Sequence, residues 1–335
     1  MVLKQAIDED DIFTVYPSIR ELRLLCGGIK AITIEYEGGT LTDTFSSNAL
    51  SSAINQQYQL LMSVSDRYSM KRFLILLFLA LSVPSFACTS VIVSGKYTRD
   101  GRAVMYKHRD SSCKDVSVEY FQGSLYRLMG VVNSNWRRHP VARVPKGTPE
   151  VWGGMNEMGF AIMNTATYDL KDDDVPQSEM DKEGVVMYQA LSVCATLEEF
   201  EYFLDTLSRP MCIETNFGVI DAKGGAAYYE VNNHAWVKFD VNEDPHGYRV
   251  VTNFTWTGRP ADRKGYDRYE KACRILESTD VPMPEWNHSF FIREISCSGA
   301  PILRKSTSCA IVFEGDTMWA ALGRPDEVPC KPYTL

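Results

Sequence analysis

The sequence predicts an α+β domain over residues 88–335, with two antiparallel sheets and helices laid over them. Three observations predict it. The segments run in the order strands, helices, strands, helix, strands, which suits packed layers. Short β-rich runs are separated by Asp-Gly and Gly-rich turns. No Gly-rich βα turn of the dinucleotide-binding kind occurs, and neither G-x-S-x-G nor H-E-x-x-H is present.

The elements follow in order. "CTSVIVSGKYTRDGRAVMYKHRD" reads as a hairpin: Thr89 to Ser94 is one strand, Asp100-Gly101 gives the turn, and Ala103 to Tyr106 is the second, ending at Lys107–Asp110. "VSVEYFQGSLYRLMGVV" supplies further strands, and "NSNWRRHPVARVPKGTPE" is a polar connection. "VWGGMNEMGFAIMNTATY" is strand, turn, strand with glycines at the bend. The acidic stretch "DLKDDDVPQSEMDKEG" reads as a solvated loop. Apolar residues at helical spacing then mark "EGVVMYQALSVCATLEEFEYFLDTLSR", broken near Thr196, which caps a second helix with Glu199 at N3. Strands follow in "NFGVIDAKGGAAYYEVN", "HAWVKFDV" and "GYRVVTNFT". "YDRYEKACRILEST" is a helix with Tyr269, Ala272 and Ile275 near one face, and "CAIVFEGDTMWAALG" closes with two strands around "EGD". There is no internal repeat.

Upstream, "MKRFLILLFLALSVPSFACTS" (70–90) has the pattern of a secretory signal. Lys71 and Arg72 precede an apolar run from Phe73 to Val83, Pro84 breaks it, and Ser85 and Ala87 place small residues at −3 and −1 before Cys88. The run is about a dozen residues, short of the roughly 20 that a spanning helix needs. A buried core segment is the other reading. Residues 70–87 are therefore expected to be a cleaved signal peptide and residues 1–69 an unstructured upstream extension from a mis-assigned start. In that extension "AITIEYE" has the character of a strand without evident partners. A small cytoplasmic domain with a membrane anchor is the alternative.

Composition narrows the function. The net charge is −8 and no basic patch stands out, which argues against nucleic acid. Nine cysteines show no CxxC spacing, and there are five histidines, so no metal or cofactor is expected. An exported chain can form disulfides, but apart from Cys26 and Cys88 the remaining count is odd, and buried thiols are preferred for most. The expected partners are a small-molecule substrate and signal peptidase. The sequence leaves a homo-oligomer open.

A cysteine freed at a chain terminus carries its own base. The α-amine, with a reference pKa of about 8, takes the thiol proton directly or through a water and later protonates a leaving amine. This suits a histidine-poor chain, with His108 and His234 as weaker candidate bases. Lipidation of Cys88 is the rival fate. Ser85 at −3 and Phe86 at −2 fit ordinary signal-peptidase cleavage better.

Together, "CTS", "HRD", "GGMNEMGFAIMN", "VVTNFTW" and "YDRYEKA" resemble the N-terminal nucleophile hydrolases that cleave linear amides. This group comprises the choloylglycine hydrolase and penicillin V acylase enzymes and the isopenicillin-N acyltransferase-like peptidases. The resemblance implies a four-layer αββα sandwich over residues 88–335, with two antiparallel sheets between helix layers. It implies a thioester acyl-enzyme on Cys88, Asp110 holding the terminal amine, and an oxyanion site at Asn164, largely through backbone. Asn253 is implied as the side-chain oxyanion donor and Arg268 as support for the nucleophile's pocket. Lys107 stands where choloylglycine hydrolases carry arginine. It offers a point charge but not a guanidinium fork, which favours the acyltransferase-like branch. Trp152, Tyr168 and Trp256 are candidates for an acyl pocket and equally for core aromatics. The substrate class implied is an N-acyl amino acid or similar acyl amide, with a dipeptidase or an inactive, lipid-anchored binding protein as alternatives. The expected location is secreted or periplasmic.

Overall fold

The computed structural model describes residues 2–4, 31–36, 39–44, 88–138, 144–145, 147–170, 175–259, 263–278 and 286–335. The chain divides into two units, 1–85 and 86–335. In the first, β1 (Val2–Lys4), β2 (Ala31–Tyr36) and β3 (Gly39–Thr44) form a three-stranded sheet. The strand expected in "AITIEYE" is β2. It has the partners the sequence did not reveal, β1 in parallel and β3 as an antiparallel hairpin mate. The signal segment 70–87 and the tract 45–69 lie outside the described residues.

The second unit holds two antiparallel sheets. The larger contains β6 (Val116–Gln122), β7 (Arg127–Asn133), β8 (Gly153–Asn156), β9 (Ala161–Ala166), β10 (Thr215–Ile220), β11 (Ala226–Val231) and β12 (Trp236–Asp240), in the order β12-β11-β10-β9-β8-β7-β6. The smaller has β13 (Tyr248–Val251), β4 (Cys88–Val93), β5 (Val104–Asp110), β14 (Thr307–Glu314), β15 (Thr317–Ala321) and β16 (Lys331–Tyr333), in the order β13-β4-β5-β14-β15-β16.

Period-2 alternation sorts each strand's residues between two cores. In β4, Ile92 packs with Met105, Met163, Tyr228 and Ile311 between the sheets. Val91 and Val93 turn outward, with Tyr106, Val250 and Val312, onto Ala272, Leu276, Phe291 and Ile295. The outer face of the larger sheet, with Ile162, Phe217 and Tyr229, is covered by α1 (Glu183–Val193) and α2 (Leu197–Thr206). Helix α3 (Tyr266–Glu277) and the turns His288–Phe290 and Phe291–Ser296 cover the smaller sheet. The result is helix, sheet, sheet, helix, the αββα sandwich.

The break between α1 and α2 falls where expected. Thr196 Oγ1 accepts from Glu199 N at 3.2 Å, and Glu199 Oε2 accepts from Ala195 N at 2.6 Å. Phe200 anchors α2, with Tyr229, Phe217 and Phe160 rings at 5.1, 5.9 and 6.0 Å. Truncating such a side chain costs about 3–5 kcal/mol. One expectation shifts and another widens. The acidic stretch is not simply solvated, because Asp169 and Glu183, near its two ends, are buried. On α3 Tyr269 and Ile275 are half-buried against the same core as Ala272, and the fully buried set also takes in Arg268 and Leu276. A charged residue takes the inward position because the smaller sheet offers it acceptors.

Candidate active site

Cys88 opens β4, a strand buried along its whole length between β13 and β5. Across the ladder it faces Arg109, and Ser90 faces Lys107. Directly opposed residues share a face, so Cys88, Lys107 and Arg109 all point into the space between the sheets. Ser90 confirms that direction, since its hydroxyl accepts from Tyr228 OH of the larger sheet at 3.1 Å.

In the intact chain Cys88 N is a peptide amide, and it donates to Asn253 Oδ1 at 2.8 Å. The same oxygen accepts from Arg268 Nη2 at 2.8 Å. Arg268 Nη1 donates to Cys88 O and, at 3.3 Å, to Thr89 Oγ1. Asn253 Nδ2 donates to Ala166 O at 2.6 Å. Cys88, Asn253 and Arg268 thus form one buried cluster. Glycine is required at position 265 for this to close. It lies at φ +79°, and a Cβ there would fall 2.0 Å from Arg268 Nη2.

Asn164 lies on β9 opposite Phe217. Beyond Met163 the strand has no β8 partner, which leaves that side open to the Asn253 side chain at Ala166. Asn164 Oδ1 accepts from Lys107 Nζ at 2.8 Å, and its Nδ2 donates to Thr215 Oγ1 at 3.2 Å. Lys107 Nζ also donates to Trp152 O at 2.5 Å. Burial pushes the Lys107 ammonium down to about 8, with Cys88 favouring the charged form and Arg109 opposing it. The lysine therefore belongs to the site.

Asp110 is placed differently from the expectation. Strand alternation turns it to the outer face, where Oδ2 accepts from Arg304 Nε at 2.8 Å and Oδ1 from Thr307 Oγ1 at 2.9 Å. No hydrogen bond joins Asp110 to Cys88 among the described residues. The register shift between Thr307 and Cys309 delivers Thr307 to that carboxylate. Burial pushes the Asp110 carboxyl up, and Arg304 opposes it. His108 shares the outer face, bonded to Thr307 Oγ1 at 2.9 Å. Burial drives it down to about 3, so it stays neutral and away from the thiol. His234 is exposed on a hairpin turn.

The aromatic candidates separate. Trp152 packs against the outer core and lies under the Arg109 guanidinium at 4.8 Å. Trp256 is 37% exposed and edges onto Phe254 and Tyr269 at 5.3 and 5.7 Å. Tyr168 lies under Lys264 Nζ at 5.6 Å. Arg304 and Thr307 escaped the sequence reading, and so did Glu230 and Asp169, which hold the loop after Asn253. Of these only Glu230 leaves a sequence signal, a charge within the otherwise apolar strand "AAYYEV". Among the described residues no cluster of His, Cys, Asp or Glu is placed to hold a metal ion, and no helix is long and apolar enough to cross a membrane.

No family model and no curated protein matches the sequence. Solved structures do match. A Caenorhabditis elegans N-acylethanolamine-hydrolyzing acid amidase ortholog aligns with a TM-score of 0.52 at 14% identity, covering 74% of this chain and all of that one (100%). A conjugated bile acid hydrolase from Clostridium perfringens aligns at 0.44 and 13%, covering 74% and 97%. Penicillin V acylase from Agrobacterium tumefaciens aligns at 0.44 and 15%, covering 70% and 83%. At such identities the likeness is one of fold, and the first alignment carries it. The chain has the N-terminal nucleophile hydrolase fold.

Proposed function

We propose that the chain is an exported cysteine amidase whose nucleophile is Cys88, freed by cleavage after Ala87. The observation that carries this reading is the bond from Cys88 N to Asn253 Oδ1, in a buried polar cluster at the start of a central strand. Cleavage would turn that amide nitrogen into an amine and leave its acceptor in place. The thiol then gives its proton to the amine, and sulfur attacks the carbonyl carbon of a linear amide. Asn253 spends one amide hydrogen on Ala166 O, and its second is the donor offered to the oxyanion, together with main chain at Asn164. Such a donor contributes about 3–4 kcal/mol to the transition state. As the C–N bond breaks, the ammonium returns its proton to the leaving amine, and water resolves the thioester to acid and free thiol. Lys107 places a cation beside the sulfur. Arg268 fixes the Cys88 carbonyl, and Asp110 steadies the end of β5 from the outer face through Arg304 and Thr307.

The substrate class that suits this reading is an N-acyl amino acid or related acyl amide. Lys107 in place of a guanidinium fork favours a second outcome for the same acyl-enzyme, capture by an amine in an acyltransferase. Secretion or a periplasmic address follows from the signal reading, and a lipid anchor on Cys88 is the competing fate. The test is rapid-quench mass spectrometry of the processed protein with N-acyl amino acids and acyl p-nitroanilides. The expected result is an acyl adduct on Cys88 that decays in water, or faster with an added amine, and is absent in Cys88→Ala. Turnover that survives Cys88→Ala would refute the reading.

A further inference from the structure

The segment after Asn253 is held in an unusual way. Thr165, Asn216 and Glu230 are ladder partners in a row across β9, β10 and β11. All three are buried, on the face turned toward the smaller sheet. Asn216 Nδ2 bridges Thr165 Oγ1 at 3.2 Å and Phe254 O at 3.0 Å. Glu230 accepts from Trp256 N, from Thr257 N at 3.0 Å and from Thr257 Oγ1 at 2.6 Å. Asp169 Oδ2 accepts from Thr255 N at 2.8 Å, and Asp169 O accepts from Arg259 N at 3.2 Å. Gly258 closes over them so tightly that a Cβ there would meet Thr255 Oγ1 at 2.2 Å and Asp169 Cγ at 2.7 Å.

Three consecutive main-chain N–H groups, 255 to 257, therefore point into two buried carboxyls. Amide-to-carboxylate bonds are about twice as strong as neutral ones. Burying two acids near one another is costly, and burial pushes both upward, with Asp169 adding to the rise at Glu230. Arg263 favours the Asp169 charge, and its guanidinium lies over Phe254 and Trp256 at 5.3 and 5.6 Å. The latch begins one residue after Asn253, whose side chain reaches both Cys88 N and Ala166 O. A shift of this main chain would carry Asn253 with it.

We propose that Glu230, assisted by Asp169, is a positioning residue for Asn253, holding the 254–259 main chain so that the Asn253 amide stays registered on Cys88. The proposal rests on the amidase reading for its first readout only. Neither acid touches the nucleophile. Both act through the loop, so their effect must vanish when the Asn253 side chain is gone.

A double-mutant cycle tests this in the processed full chain with decanoyl p-nitroanilide. Glu230→Gln keeps the volume but turns a donor toward the loop amides. We expect kcat to fall about tenfold, less than the hundred- to thousandfold loss of an oxyanion donor removed outright, and KM to move less than about twofold. In an Asn253→Ala background the same change should cost less than about twofold. Additive losses, or a loss carried in KM, would overturn the proposal. Thr257→Val, which removes one bond, repeats the cycle if Glu230→Gln does not fold. If the wild type cleaves no acyl amide, the amidase reading fails. The same cycle on the iodoacetamide alkylation rate of Cys88 then decides the proposal. Coupling between positions 230 and 253 supports it, and independent effects overturn it.

Discussion

Gly265→Ala puts the placement of Arg268 to the test. Position 265 caps α3 with φ +79° and ψ 19°, and its carbonyl accepts from Thr252 Oγ1 at 3.0 Å. An alanine there pays about 1–2 kcal/mol for the left-handed backbone. Its Cβ would also sit 2.0 Å from Arg268 Nη2, 2.7 Å from Cζ and 3.1 Å from Thr252 Oγ1. A side-chain end normally yields cheaply. Arg268 does not, because it is buried and its nitrogens serve Cys88 O, Thr89 Oγ1 and Asn253 Oδ1. Swinging it away leaves buried acceptors short of a donor, at about 1–3 kcal/mol each. Asn253 Oδ1 keeps Cys88 N as a donor, so two acceptors are orphaned and the sum is roughly 3–8 kcal/mol, a large fraction of an ordinary domain's stability. Denaturant titration of Gly265→Ala and Gly265→Asn against wild type measures it. Asparagine tolerates the left-handed region but carries the same Cβ, so both variants should lose most of that amount and both should slow acylation of Cys88. A loss below about 1 kcal/mol in both, with wild-type acylation, would refute the claim that Arg268 is locked beneath Gly265.

Three further outcomes follow from the same geometry. Lys107→Met should slow alkylation of Cys88 about tenfold at pH 7. The difference should close above pH 8, where the wild-type lysine has lost its proton, and a gap that persists to high pH would contradict a charge effect. Glu183, pushed up from its ordinary 4.5 to about 8 by burial, holds a proton when folded that the unfolded chain releases. Its contribution to stability is full below about 4.5 and lost as pH rises through about 8, so Glu183→Gln should raise the melting temperature at pH 8 and leave it unchanged at pH 4. Asp110→Asn should cost about 2–4 kcal/mol in denaturant titrations, from the weakened bonds to Arg304 and Thr307. Acylation by its folded fraction should stay within about threefold of wild type, and a hundredfold loss at unchanged stability would show the carboxylate holding the terminal amine instead.

The sequence carried most of the layer order, because alternation in "CTSVIV" and "AVMYK" and the Thr196 cap are local signals. Asn253 and Arg268 were singled out only through the resemblance, and their contacts with Cys88 are visible only in the structure. Register was not legible. One residue of parity decides that Lys107 faces the sulfur while Asp110 faces Arg304, and parity depends on where the hairpin closes and on the shift between Thr307 and Cys309. The helical turns at 288–296 lacked a clear period, since the second of them is π-helical. Buried carboxyls at Asp169 and Glu183 looked like surface charge, and the role of Glu230 went unread, because their partners are main-chain amides, several of them far away in sequence. Burial of Arg268 has the same origin, in acceptors supplied by strands remote in the chain.

The central claim is that Cys88 becomes a free terminal nucleophile. Intact-mass spectrometry tests it most directly, on protein expressed from Met70 in a secreting host, with and without iodoacetamide. The account predicts a product that begins at Cys88 and gains one carbamidomethyl group there, placed by terminal sequencing. A product that retains residues 70–87, or one with a diacylglyceryl mass on Cys88, would contradict it.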